Sequence, residues 1–372
     1  MSKKFNLALT GLFCLFLGGM FIISTLLPDK EFSPLENRYL QEPPILSWES
    51  LTNGKFMEEA EAYTGDHIVG RDFWVALNTW CEHLSGKQES NGIYFAQGGT
   101  LIPRVEAPRQ GDLENKIGHL NKLADNIEAP VYFCLIPSAA HTWADRLPQG
   151  APTADEDAII DTVYGSAQAT TIDLRNAFAA HRNEYLYYRT DHHWTSLGAY
   201  YGYVAIAEAM GLEPVSLSDY TKTTVSDKFN GTSFSSSGVR WLQPDTIDIY
   251  VPQDGITVTS YFDGTPSQGA LYVDSYLDVK DKYSYFMGGV SPLHVIETEH
   301  TDAPRLLIVR DSYSDSLVPF LTPHFSQIHM VDLRYNHQSI KTYASENEID
   351  GVLVLYSIPN FVEEGNLFKL AR

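Results

Sequence analysis

The sequence predicts an α/β domain built on a parallel sheet, and three observations carry that expectation. Leu306 to Val309, Ile328 to Val331 and Val352 to Leu355 are short, continuously apolar runs, the pattern of strands covered on both faces. Helical and extended patterns alternate upstream, with a helix from about Asp112 to Asn126, strands at Val131 to Ile136 and Thr170 to Leu174, and a helix after Thr195. Ser312, Arg334 and Tyr356 fall at the carboxyl ends of the three apolar runs, where parallel sheets place their ligands.

Read in order, the chain opens with Lys3 and Lys4 before an uncharged stretch from Leu7 to Leu27 that Pro28 and Asp29 close. That stretch is long enough to cross a hydrocarbon layer of ~30 Å as a helix. The expectation is a signal anchor over residues 1–30, lysines in the cytoplasm and the remainder outside. A removed signal peptide is the alternative. It is disfavoured because more apolar residues follow Gly18-Gly19-Met20 than a cleavage site leaves, and Phe13 before Cys14 is a poor lipoprotein signal.

Residues 31–55, punctuated by Glu36-Asn37-Arg38 and Pro43-Pro44, read as a stalk, and residues 56–372 as the functional domain. Phe56, Ala60 and Tyr63, then Phe73, Leu77, Trp80 and Leu84, recur at helical spacing on either side of Gly65 to Gly70. Ile93 to Phe95 and Leu101-Ile102 flank Gln97-Gly98-Gly99 as a hairpin. Between about 213 and 299 the alternation breaks into short runs, Ile247 to Val251, Ile256 to Phe262 and Ala270 to Val273, expected as a β-rich insertion. Cys81 and Cys134 allow at most one disulfide, and two buried free thiols are the simpler reading.

With 372 residues, 44% hydrophobic and 20% charged, the chain is ample for a globular core. Its net charge of -21 and lack of a basic cluster exclude nucleic acid as a partner.

Chemistry concentrates in two places. Thr190-Asp191-His192-His193-Trp194 sets a carboxylate two positions before an imidazole, so Asp191 can orient His193 as a general base. The strand Arg305 to Val309 empties into Arg310-Asp311-Ser312-Tyr313, exposing Ser312 as a nucleophile ahead of a helix starting near Asp315. The same residues also read as helix caps, Asp311 and Ser312 for one helix and Thr195 or Ser196 for another. Adjacent histidines also suit zinc, but no third ligand at a recognisable spacing accompanies them, so no metal is expected. Trp194 and the tyrosines Tyr187, Tyr188, Tyr200, Tyr201 and Tyr203 suit either sugar stacking or core packing.

The ordered set of anchor, Asp-His-His-Trp, Arg-Asp-Ser-Tyr and Asp332-Leu333-Arg334-Tyr335 resembles the DHHW proteins and the related alginate O-acetyltransferases, permuted relatives of the SGNH hydrolases. The resemblance implies a flavodoxin-like, SGNH-hydrolase-like three-layer sandwich. It assigns Ser312 as nucleophile, His193 as base and Asp191 as its partner, and leaves His192, at the variable middle position of Asp-x-His, to local packing or to lining the cleft. Backbone N–H groups of Ser312 and Tyr313 are the expected oxyanion donors, helped by Arg334 or Asn360, with Trp194 at the substrate; Arg334 reads equally as half of a surface salt bridge.

One departure is Arg310, where SGNH enzymes generally carry glycine. The implied function is an extracytoplasmic, membrane-anchored O-acetyltransferase of a cell-surface or exported polysaccharide, with no cofactor and a multi-spanning membrane O-acyltransferase as acetyl donor. An acetyl esterase of the same fold, or a non-catalytic polysaccharide-binding or assembly protein, remains open at this point.

Overall fold

The computed structural model describes residues 3–262 and 264–372. The chain divides into two compact units, Met1–Ser90 with Ser235–Trp241, and Asn91–Phe234 with Leu242–Arg372.

The first unit begins with α1, Lys3–Leu26, none of whose residues is buried. Among the described residues it is the one helix long and apolar enough to cross a membrane. The stretch expected as a stalk contains local structure: Phe32–Ser33 pairs with Arg38–Tyr39, and Ser47 caps a short helix, Trp48–Thr52. Arg38 binds Glu36 and Asp66, and Arg71 binds Glu36, so side chains distant in sequence tie this segment to the helices that follow. Those helices are Lys55–His67 and Arg71–Leu84. The break expected over Gly65 to Gly70 therefore shrinks to residues 68–70. Both remaining cysteines are free, but Cys81 is exposed and only Cys134 is buried, which corrects the expectation of two buried thiols.

The second unit carries an eight-stranded sheet: β1 Val131–Ile136, β2 Thr170–Asp173, β3 Thr257–Ser260, β4 Ser267–Gly269, β5 Leu293–Glu297, β6 Arg305–Arg310, β7 Gln327–Val331 and β8 Gly351–Ser357. Its spatial order is β4-β3-β5-β7-β6-β8-β1-β2. The five strands from β7 to β2 are parallel, and β5, β3 and β4 extend them antiparallel. The insertion is thus partly absorbed into the main sheet. The rest of it includes a separate ribbon, Thr223–Phe229 with Asp245–Ile249, and 3-10 turns. Ala270 to Val273, expected as a strand, contributes a single bridge from Tyr272 to Phe286. The hairpin Ile93–Ala96 with Thr100–Pro103 forms as the sequence predicts.

Alternate residues of the parallel strands enter two separate cores, as the two-residue period of a strand requires. Cys134, Ile136, Leu306, Ile308, Leu353 and Leu355 lie in one; Phe133, Leu135, Leu307, Val309, Val352 and Val354 lie in the other. Helices α2, Asp112–Asn126, and α3, Glu156–Tyr164, contribute to the second core through Ile117, Leu120, Leu123, Ile159, Ile160 and Val163. Helices α4, Ser196–Ala209, and α5, Ser314–Leu321, contribute to the first through Ala199, Tyr203, Ile206, Leu317 and Phe320. Each fully buried aliphatic or aromatic side chain here contributes on the order of 1.5–3 kcal/mol. The result is a mixed α/β fold with a large, mostly parallel sheet. From β1 the chain moves outward to β2, whereas from β6 it moves outward to β7. That reversal makes the carboxyl ends of β6, β8 and β1 a topological switch point, where open α/β sheets place their ligands.

Candidate active site

The Asp-His-His-Trp segment occupies a tight turn. Tyr187 and Trp194 form an antiparallel bridge, and the Tyr188 N–H donates to the His193 carbonyl at 3.2 Å. Within the turn Asp191 Oδ1 accepts from the His193 backbone N–H at 3.0 Å and also meets His193 Nδ1 at 2.6 Å. The spacing of two is what allows this: an Asp side chain naturally bonds the N–H two residues on, and here the ring nitrogen joins the same oxygen. Asp191 Oδ2 accepts from the Thr232 N–H at 2.8 Å and the Thr232 hydroxyl at 3.0 Å. Burial acts to raise the Asp191 carboxyl, but the nearby imidazoles of His192 and His193 and the hydrogen bonds from His193 and Thr232 outweigh it and hold the group well below its usual range.

Two residues that sequence reasoning missed make this turn possible. A Cβ on Gly231 would lie 2.2 Å from Asp191 Oδ2, so only glycine lets that backbone close over the carboxylate. Asp245, fully buried, accepts from the Thr190 N–H at 2.7 Å and the Thr190 hydroxyl at 2.5 Å, anchoring the backbone just before Asp191. The Asn230-Gly231 dipeptide was a visible turn signal. Nothing in the sequence tied it to Asp191.

The serine turn starts where β6 ends. Asp311 does not face the imidazole. Its Oδ1 accepts the Tyr313 N–H at 3.0 Å, and its Oδ2 accepts from the Ser357 N–H, the Ser357 hydroxyl and Asn360 Nδ2, each at 2.8 Å. These bonds lock the turn to the end of β8. Ser312 Oγ then sits 2.8 Å from His193 Nε2. The structure therefore brings Asp191, His193 and Ser312 into one continuous hydrogen-bonded line.

Tyr283, from the insertion, completes the packing. Its ring stacks on His193 with centroids 3.7 Å apart and planes 8° from parallel. Its hydroxyl lies 3.1 Å from both the Ser312 carbonyl and Ser316 Oγ.

The remaining predicted residues divide. The Ser312 N–H has no hydrogen-bond partner among the described residues and is available to an oxyanion. The Tyr313 N–H is not, because Asp311 takes it, and the Tyr313 ring is buried with its hydroxyl donating to the His192 carbonyl. Trp194 is likewise fully buried. Its indole N–H donates to the Tyr313 carbonyl and Ser316 Oγ, both at 2.9 Å, so it fastens the histidine turn to α5 and offers no face to a sugar.

Asn360 uses one amide hydrogen on Asp311. Arg334 is half-exposed and binds Asp332 through Nε and Nη2, at 2.7 Å for the closest contact. Tyr356 lies inside β8, buried in the opposite core rather than beside Ser312. Of the tyrosines that suit sugar stacking, Tyr187, Tyr188, Tyr200 and Tyr203 are core.

Arg310 is fully buried, with Nη1 2.9 Å from Asp315 Oδ1. Burial outweighs the attraction of Arg310 and raises the Asp315 carboxyl to about 7. Asp191, His192 and His193 each bring one potential ligand atom within 4.8 Å of the others, the grouping a metal would need. Hydrogen bonds already engage both Asp191 oxygens and both His193 nitrogens.

An acid, an imidazole and a serine thus stand in line at the carboxyl edge of a mostly parallel α/β sheet. The chain belongs to the DHHW family, whose model, DHHW protein, matches residues 114–331. Among solved structures it is similar to a DHHW family protein from Eubacterium siraeum, at 27% identity and a TM-score of 0.66, covering 76% of this chain and 95% of that one. It shares its fold with Bacillus cereus PatB1, at 24% identity and a TM-score of 0.64, covering 75% of this chain and 99% of that one. PatB1 has also been solved with a sulfonyl adduct. No curated protein sequence matches this chain significantly.

Proposed function

We propose that this chain is a membrane-anchored, extracytoplasmic serine O-acetyltransferase acting on a cell-surface or exported polysaccharide. The observation that carries the reading is the line from Asp191 through His193 to Ser312, with contacts of 2.6 and 2.8 Å. In that reading His193 Nε2 takes the Ser312 proton as Oγ attacks the donor's acetyl carbonyl, and the Ser312 N–H faces the developing oxyanion. The proton passes to the leaving group. A sugar hydroxyl then gives its proton to His193 while attacking acetyl-Ser312, and the serine recovers a proton as it leaves.

Asp191 keeps His193 in the tautomer whose Nε2 lone pair faces Ser312 and stabilises the imidazolium formed at each step. Arg334 and the second amide hydrogen of Asn360 are further oxyanion or substrate donors in this proposal. The apolar helix Lys3–Leu26 would hold the site near a multi-spanning O-acyltransferase that delivers acetyl groups across the bilayer.

The test is to supply the full chain with an acetyl ester and an oligosaccharide, and to follow acetylated sugar and free acetate together. Acetylated sugar that disappears in Ser312→Ala supports the proposal. Acetate alone would make the protein an esterase, and turnover unchanged in Ser312→Ala would remove the serine mechanism altogether.

A further inference from the structure

His192 is the unassigned half of the histidine pair, and its surroundings fix its chemistry. Its Nδ1 lies 2.6 Å from Thr232 Oγ1, which itself lies 3.0 Å from Asp191 Oδ2. An ionised carboxylate only accepts, so the single Thr232 hydroxyl proton goes to Asp191. The short contact to His192 is then an Nδ1–H donation to Thr232 Oγ1. One carboxylate thereby orients two imidazoles, His193 directly through Oδ1 and His192 through a threonine hydroxyl on Oδ2. The tautomer that results leaves a lone pair on His192 Nε2, which accepts no hydrogen bond from any described residue.

The His192 side chain is 34% exposed, against 6% for His193, and the two rings lie 3.8 Å apart with planes inclined by 37°. Burial and the neighbouring imidazole lower the His192 pKa to about 4, so the ring is neutral and accepting at neutral pH but too weak a base to compete for the reacting proton.

We infer that His192 is the acceptor-positioning residue: its Nε2 receives a hydrogen bond from a hydroxyl adjacent to the one that reacts, so the site selects a vicinal diol over water or a simple alcohol. This rests on the serine reading above. During deacylation the attacking hydroxyl gives its proton to His193, its oxygen bonds to the acetyl carbon, and the carbon's bond to Ser312 Oγ breaks as the proton returns to the serine. His192 exchanges no proton. It holds the second hydroxyl so that the first lies along the attack line, an advantage that water lacks.

The experiment uses full-length protein in detergent, 4-nitrophenyl acetate as donor, and paired acceptors: a methyl glycoside with a vicinal diol and its analogue lacking the neighbouring hydroxyl. The wild type is expected to prefer the diol about tenfold, the value of one hydrogen bond. His192→Phe keeps a ring against His193 but removes the acceptor atom, and should erase the preference. Thr232→Val frees the His192 tautomer and should reduce it in part. Nitrogen-15 spectra of the ring should show His192 as the Nδ1–H form in the wild type and as a mixture in Thr232→Val.

A diol preference that survives His192→Phe overturns the inference while leaving the serine mechanism intact. A wild type that never forms acetyl-Ser312 overturns both. Should His192→Phe fail to fold, the threonine variant decides, and an unchanged preference together with an unchanged ring spectrum rejects the idea.

Discussion

Asp191 has both oxygens committed, one to His193 and one to Thr232, so its charge and its shape are both in use. Asp191→Asn keeps the shape but presents an amide where His193 needs an acceptor at Nδ1. Turnover of an acetyl ester should fall by roughly 10³–10⁴. A loss below threefold in kcat would mean that Asp191 only shapes the turn. Tyr283→Phe is the milder probe. It keeps the ring stacked on His193 but gives up the hydroxyl contacts to the Ser312 carbonyl and Ser316, and should cost about 1 kcal/mol in denaturant unfolding. At this scale Asp191, His193 and Ser312 were legible because their chemistry shows in residue type and spacing. Tyr283, Thr232 and Asp245 were not, since each reaches the site through tertiary contact from a segment whose local pattern speaks only of turns. Trp194 misled for a related reason: aromatic character is visible in a sequence, but the side on which it is buried is not, and the Tyr313 N–H misled because its capture by Asp311 shows only in the folded turn.

Elements whose pattern is local came through well. α2 and β1 span the residues expected of them, and the three apolar runs became β6, β7 and β8, each extended by one to three residues. The insertion was harder: the run Ile256 to Phe262 holds β3, but β5 is not among the expected runs, and it takes its place in the main sheet by pairing with the edge of β7 and offering its other edge to β3. Two glycines separate close approach from mere flexibility. Gly231→Ala drives a Cβ to 2.2 Å from Asp191 and should lower both stability, by roughly 2 kcal/mol or more, and turnover. Gly118, within α2, has nothing within 4 Å of the added carbon, and Gly118→Ala should stabilise by about 0.5–1 kcal/mol. Thermal unfolding of the two variants side by side checks both signs.

Over the whole molecule, two buried carboxylates give opposite pH dependences. Asp191 is held below its ordinary value of 3.8, so its contribution is present above that pH and fades as the solution becomes more acid. Asp315 is raised from 3.8 to about 7, so the folded state keeps a proton that the unfolded chain releases. Its contribution is complete below 3.8 and is lost as pH rises through about 7. Asp315→Asn should therefore flatten the decline in unfolding free energy between pH 5 and 8, by roughly 2–4 kcal/mol; an unaltered slope would place the titration elsewhere. The apolar amino-terminal helix was legible from composition alone, whereas the joining of Glu36, Arg38, Asp66 and Arg71 needed the folded chain. The central claim, that this arrangement is a nucleophilic triad, is tested most directly by mass spectrometry of the full chain quenched during turnover of an acetyl ester. The account predicts one acetyl group, mapped to Ser312 and lost in His193→Ala; an unmodified chain that still turns over, or an acetyl group on another residue, would contradict it.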